Sequence, residues 1–113
     1  MIDIDNKKIL TFAKKLSIEA GNLILTKRNK YEISVHKKDF LDVATNVDLA
    51  AEKLIISKLK QYYPKFNILS EEKGFINNNS PYTWIIDPLD GTKEFMRNIP
   101  TYSVNISLEK NSE

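Results

Sequence analysis

One stretch limits what this chain can fold into more than any other: Thr83-Trp84-Ile85-Ile86-Asp87-Pro88-Leu89-Asp90-Gly91-Thr92-Lys93-Glu94-Phe95. Trp84, Ile85 and Ile86 are bulky and β-prone, so they read as a buried strand. They are consecutive rather than alternating, so the strand needs cover on both faces. Pro88 lacks a backbone donor and pushes Asp87 toward extended geometry, which predicts that the strand ends at Asp87. Asp90-Gly91 is a turn pair. Residues 92–97 then open a short helix whose first N–H groups are free. Across such a turn Asp87 and Asp90 can converge on one point, with the Leu89 carbonyl aimed the same way. Hard divalent cations want several oxygens of this kind, and a helix start beside them suits a phosphate. The plainer reading is a strand, a polar turn and a helix cap.

The rest of the chain is read around that stretch. Residues 6–29 carry Ile9, Phe12, Ala13, Leu16, Ala20, Leu23 and Ile24 at three- and four-residue steps, the pattern of an amphipathic helix capped by Asp5 or Asn6. Its lysine-rich face reads as solvated surface. Residues 31–36 read as a strand and residues 37–42 as a charged loop. His36 is the only histidine and there is no cysteine, so neither residue type can build a ligand cluster here. Residues 46–62 form a second helix with Val47, Ala50, Ala51, Leu54, Ile55, Leu59 and Tyr62 on its apolar stripe and Pro64 just beyond. Thr45 and Asp48 stand at the spacing of a capping box for that helix. Residues 66–69 make a short strand that runs into Ser70-Glu71-Glu72. Residues 75–82 form a loop around Asn77-Asn78-Asn79-Ser80-Pro81. Val104, Ile106 and Leu108 alternate with Asn105 and Ser107, so the last strand has one apolar face.

Trp-Ile-Ile-Asp-Pro-Leu-Asp-Gly-Thr-Lys-Glu-Phe closely resembles the signature of the inositol monophosphatase superfamily, Mg²⁺-dependent phosphomonoesterases. The ending Gly91-Thr92-Lys93-Glu94-Phe95 looks most like the 3′(2′),5′-bisphosphate nucleotidase branch. Residues 42–48 resemble the family's second motif, and Glu71-Glu72 after a strand resembles its Glu-Glu motif. The resemblance implies an α/β fold: two long helices against a mainly antiparallel sheet, the first layers of an αβαβα sandwich. It implies metal held by Glu71, Asp87 and the Leu89 carbonyl, with Asp90 holding a second metal that stabilises the leaving oxygen. Glu71 and Thr92 would orient the attacking water, whose pKa the metal lowers. Asp48 would stand near an additional metal, with Asp42 at the edge. Gly91, Thr92 and Asp90 would receive the phosphate. Lys37 or Lys38 would lie near substrate. The substrate would be 3′-phosphoadenosine 5′-phosphate or, alternatively, an inositol phosphate.

Length and charge bound these expectations. The chain has 113 residues, enough for one domain, and a net charge of +2, too near neutral to argue for nucleic acid. The first eight residues lack a signal peptide's apolar block, and no apolar run is membrane-spanning in length, so a cytoplasmic protein is expected. The resemblance covers only the family's N-terminal half. Residues 1–113 therefore read as a single, incomplete domain. A separately encoded C-terminal half would complete it; otherwise the chain is an inactive remnant.

Overall fold

The structure, a computed structural model, describes residues 5–32, 40–70, 73–90 and 103–110, and for residues 28–32, 40–45, 88–90 and 103 the backbone alone. The order is α1 (Asn6–Glu32), α2 (Phe40–Tyr62), β1 (Asn67–Ser70), β2 (Gly74–Ile76), β3 (Tyr82–Asp90) and β4 (Ser103–Lys110). Among the described residues no helix is long and apolar enough to cross a membrane.

Helix α1 starts where the sequence says it should. Asp5 is the cap: its Oδ1 accepts from the backbone N–H groups of Lys7 at 3.1 Å and Lys8 at 3.2 Å. Its carbonyl accepts the first intrahelical bond, from the Ile9 N–H at 3.0 Å. Two otherwise orphaned donors are thereby satisfied, beside lysines that the helix dipole disfavours. The helix runs to Glu32, so the strand expected over residues 31–36 is corrected at Tyr31 and Glu32. Residues 33–39 lie outside the described residues, and with them His36, Lys37 and Lys38.

Helix α2 begins at Phe40, six residues before the expected start at residue 46. Phe40, Ala44, Val47, Ala51, Ile55 and Leu59 continue one three-and-four-residue rhythm, so the apolar stripe carries the helix back through the segment read as a loop. Thr45 is consequently inside the helix and cannot be its N-cap; the capping-box reading fails. Asp42 falls in the first turn, where the helix dipole favours a carboxylate.

The sheet order is β2-β1-β3-β4. β1 pairs antiparallel with β2 and parallel with β3, and β3 pairs antiparallel with β4. The registers line up Ile76, Ile68, Trp84 and Leu108 as one row across all four strands. That row faces the helices: Ile68 and Trp84 are buried in one core with Ile9, Leu16, Ala20, Ile55 and Leu59. α1 lies against β4 and α2 against β3. Aromatic rings knit the base of this core. Tyr63 meets Phe12 edge-on with centroids 5.0 Å apart, stacks on Phe66 at 5.4 Å and meets Trp84 edge-on at 5.8 Å.

β2 is a strand the sequence reading took for loop. Ser70 pairs with Gly74, and the Lys73 N–H donates to Ser70 Oγ at 3.1 Å. Gly74 sits at φ 73°, a conformation side chains disfavour, which is why glycine closes this hairpin. The opposite face of the sheet carries Phe75, Leu69 and Ile85 in a second row. Phe75 and Leu69 are exposed, and no described helix lies over them.

Candidate metal centre

β3 does not stop at Asp87. It continues through Pro88 and Leu89 to Asp90, which corrects the expected strand end and removes Asp90 from the turn. Pro88 is accommodated because the ladder is irregular there. Asp87 is paired with Asn105 and Asp90 with Ser103, so three steps along β3 are matched by two along β4. This is a β-bulge, one of the few places where a strand tolerates proline.

The bulge has a chemical consequence. In a regular strand, residues three apart occupy opposite faces. Asn105 and Ser103 are two apart on β4 and share a face, and cross-strand partners share a face too. Asp87 and Asp90 therefore occupy positions on the same face of the sheet. The backbone thus gathers two carboxylate-bearing positions at the C-terminal end of one strand. Asp87 itself is half-buried.

The parallel neighbour ends at the same level. Ser70, last residue of β1, is paired with Ile86, the residue before Asp87. Glu71 is next in sequence after Ser70 and lies outside the described residues. So do Gly91 and Thr92.

A second acidic group comes from α2. Asp48 is half-buried, with one carboxylate oxygen shut off from solvent. Glu52, one turn later, is only 1 % exposed and both of its oxygens are shut off. Residues four apart share a helix face. The sequence reading singled out Asp48 and missed Glu52. A signal was present: Glu52 stands three residues before Ile55 and seven before Leu59, both on the apolar stripe, so it borders the face that periodicity assigns to the core. Asp48, Glu52, Asp87 and Asn105 each take part in a polar or electrostatic interaction.

Two oxygen-donor positions on one face suit a hard divalent cation, which takes carboxylates and carbonyls. They do not make a complete shell. Among the described residues there is no group of three or more His, Cys, Asp or Glu that could hold a metal. The residues present thus fit part of a metal centre, with the remaining donors to come from elsewhere.

Comparison with known proteins bears on what such a centre does. The profile of the Inositol monophosphatase family matches residues 5–113. The Nus factor SuhB of Xylella fastidiosa is 42 % identical over 108 residues, covering 95 % of this chain and 39 % of that protein. The inositol-1-monophosphatase of Caulobacter vibrioides is 41 % identical over 83 residues, covering 73 % of this chain and 32 % of that enzyme. Among solved structures, SaIMPase-II bound to inositol monophosphate superposes with a TM-score of 0.70 at 28 % identity, covering 96 % of this chain and 38 % of that one. The same-named protein is also known bound to 2′AMP. The chain spans about two fifths of the length of the relatives it matches, 39 % of the first.

Proposed function

Because the chain belongs to the inositol monophosphatase family, we propose that it carries the first part of a metal-dependent phosphomonoesterase site. The observation that carries the proposal is the β3 bulge, which sets Asp87 and Asp90 on one sheet face. In this reading Asp87, Asp90, the Leu89 carbonyl and Glu71 hold Mg²⁺. Bound there, the cation would supply Lewis-acid polarisation of the phosphoryl oxygens and neutralise their charge. Glu71 and Thr92 orient a water toward phosphorus, and Glu71 takes its proton. The Gly91 and Thr92 N–H groups receive the phosphate oxygens. A bond forms from the water oxygen to phosphorus, and the ester P–O bond breaks. The leaving oxygen takes a proton from bulk water, which Glu71 replaces on releasing its own, so the products are an alcohol and inorganic phosphate. Asp48, from the helix side, supports a further cation.

The substrate class follows the relatives. Those named above are SuhB and inositol-1-monophosphatase, which favours an inositol monophosphate over the 3′(2′),5′-bisphosphate nucleotides that the Gly91–Phe95 ending suggests. The 2′AMP bound to SaIMPase-II keeps a nucleotide monophosphate in the set to be assayed. The site of action in this reading is the cytoplasm. With two fifths of its relatives' length, the chain acts together with the remainder of the fold, joined to it or separately encoded.

The test is phosphate release with Mg²⁺ from inositol 1-phosphate, 2′AMP and 3′-phosphoadenosine 5′-phosphate. It is run on the chain alone and on the chain mixed with the part of the Xylella relative beyond the matched segment. Release is expected in the mixture, fastest with inositol 1-phosphate, and lost in Glu71→Gln and Asp90→Asn. A mixture that associates yet releases phosphate from none of the three substrates overturns the proposal.

A further inference from the structure

Glu52 has no part in the mechanism proposed above. It is 1 % exposed, and among the described residues no other Asp, Glu, Lys or Arg is buried. Both of its oxygens are shut off from solvent, and it takes part in a polar or electrostatic interaction. Packing alone does not account for it, because an apolar side chain of similar volume fills such a place at less cost. Its position in the fold points to a reason. Tyr63 directly follows α2, its N–H donating to the Leu59 carbonyl at 2.8 Å, and its ring meets that of Trp84. The last turn of α2 thus lies over the start of β3, and Ile55 and Ile86 share the core further along. The helix therefore runs from the end of β3 back to its start. Counted from Leu59, Glu52 stands about 10 Å up the helix, and counted from Trp84, Asp87 stands about 10 Å up the strand. Asp48 lies one turn beyond, level with the last residues of β3. Trp84 and Ile86 face the helices, so Asp87 takes the opposite face. Glu52 is thus set behind the strand end, on the helix side.

We propose that Glu52 is a positioning residue of the cation site: it holds the Asp48 carboxylate turned toward the end of β3 and tightens its hold on a cation without ligating it. This rests on the reading of Asp48 as support for a further cation. Glu52 and Asp48 share a helix face one turn apart, where like charges repel. Salt screens that repulsion little, because Glu52 is buried. Glu52 is enclosed, whereas Asp48 is half-buried and has room to move. The repulsion therefore turns Asp48 outward, past the strand end where Asp90 stands. A cation arriving there is drawn by both charges and relieves their repulsion. Direct ligation by Glu52 does not fit, since among the described residues no three acidic groups come together as a metal site.

The test sets charge against volume. Mn²⁺ uptake by the whole chain and its thermal melt without metal are measured for the parent, Glu52→Gln and Glu52→Asp. Gln keeps the length and loses the charge; Asp keeps the charge and leaves a gap one methylene in size. The melts are expected to place Glu52→Asp below Glu52→Gln. Mn²⁺ affinity is expected to rank them the other way, falling about tenfold in Glu52→Gln and about threefold in Glu52→Asp. In an Asp48→Asn background either loss should shrink to about twofold or less, because Glu52 acts through Asp48. Affinities that follow the melts in rank, or losses that Asp48→Asn leaves intact, show a merely structural role and overturn the proposal. Should Glu52→Gln not fold, Glu52→Asp with and without Asp48→Asn decides by the same comparison. A parent that takes up no Mn²⁺ ends the metal-site reading and this inference with it. Parent uptake left unchanged by Glu52→Gln ends this inference alone.

Discussion

Asn67 is 4 % exposed and spends all its hydrogen-bonding capacity on the loop that feeds β3. Its Nδ2 donates to the Ser80 carbonyl at 2.7 Å and to Thr83 Oγ1 at 3.2 Å. Its Oδ1 accepts from the N–H groups of Asn78 at 2.7 Å and Ser80 at 3.3 Å. A buried amide so satisfied fixes the register with which β3 enters the sheet, and so the level at which Asp87 stands in it. Asn67→Ala would strand several of these groups, and urea denaturation should report a loss of about 2–3 kcal/mol. The sequence showed an Asn-rich loop but not its anchor, because the bonds span eleven to sixteen residues and local pattern carries no information at that range. Tyr63 gives a second residue-scale expectation. Burial, and after it the Asp5 carboxylate, raises its phenol above the ordinary value of 10.0. The raised group contributes stability that is intact below that value and lost as pH climbs through the folded pKa. Thermal melts above pH 10 should therefore show a steeper decline for the parent than for Tyr63→Phe.

Among the elements, what could be read in advance depended on periodicity. α1 and β4 were legible because their apolar side chains recur at the spacing of the element, and β1 as a short apolar run, Ile68-Leu69, after the proline that follows α2. The start of α2 was misplaced because Thr45 and Asp48 happen to fit a capping box inside a helix that the apolar rhythm extends to Phe40. β2 was missed because three residues with an exposed phenylalanine carry no periodic signal. The end of β3 was misjudged for a sharper reason. Pro88 was taken to stop the strand, whereas the bulge lets the ladder absorb it, and the same bulge aligns the positions of Asp87 and Asp90. One element prediction concerns α1. Gly21 lies in the helix interior, and a Cβ there would meet nothing within 4 Å. Gly21→Ala removes unfolded-state freedom without a clash and should stabilise the chain by about 1 kcal/mol, read as an upward shift in Tm.

For the molecule as a whole, the described residues form two layers: helices on one sheet face and, on the other, Phe75, Leu69 and Ile85 with no described helix over them. The expectation that Trp84–Ile86 wants cover on both faces is met on one, where Trp84 and Ile86 are 1 % and 3 % exposed. That asymmetry accords with a chain covering 39 % of its first-named relative. The family was legible because its signature is a long string of specific residues. The branch was not, because five residues after the second aspartate weigh less than identity spread over the whole chain. The account rests on Asp87 and Asp90 serving one cation. Mn²⁺ binding followed by electron paramagnetic resonance, in the parent and in Asp87→Asn and Asp90→Asn, measures this directly. The account predicts that the parent takes up Mn²⁺ and that either substitution alone weakens binding by about tenfold or more. Mn²⁺ affinity left unchanged by both substitutions would contradict it.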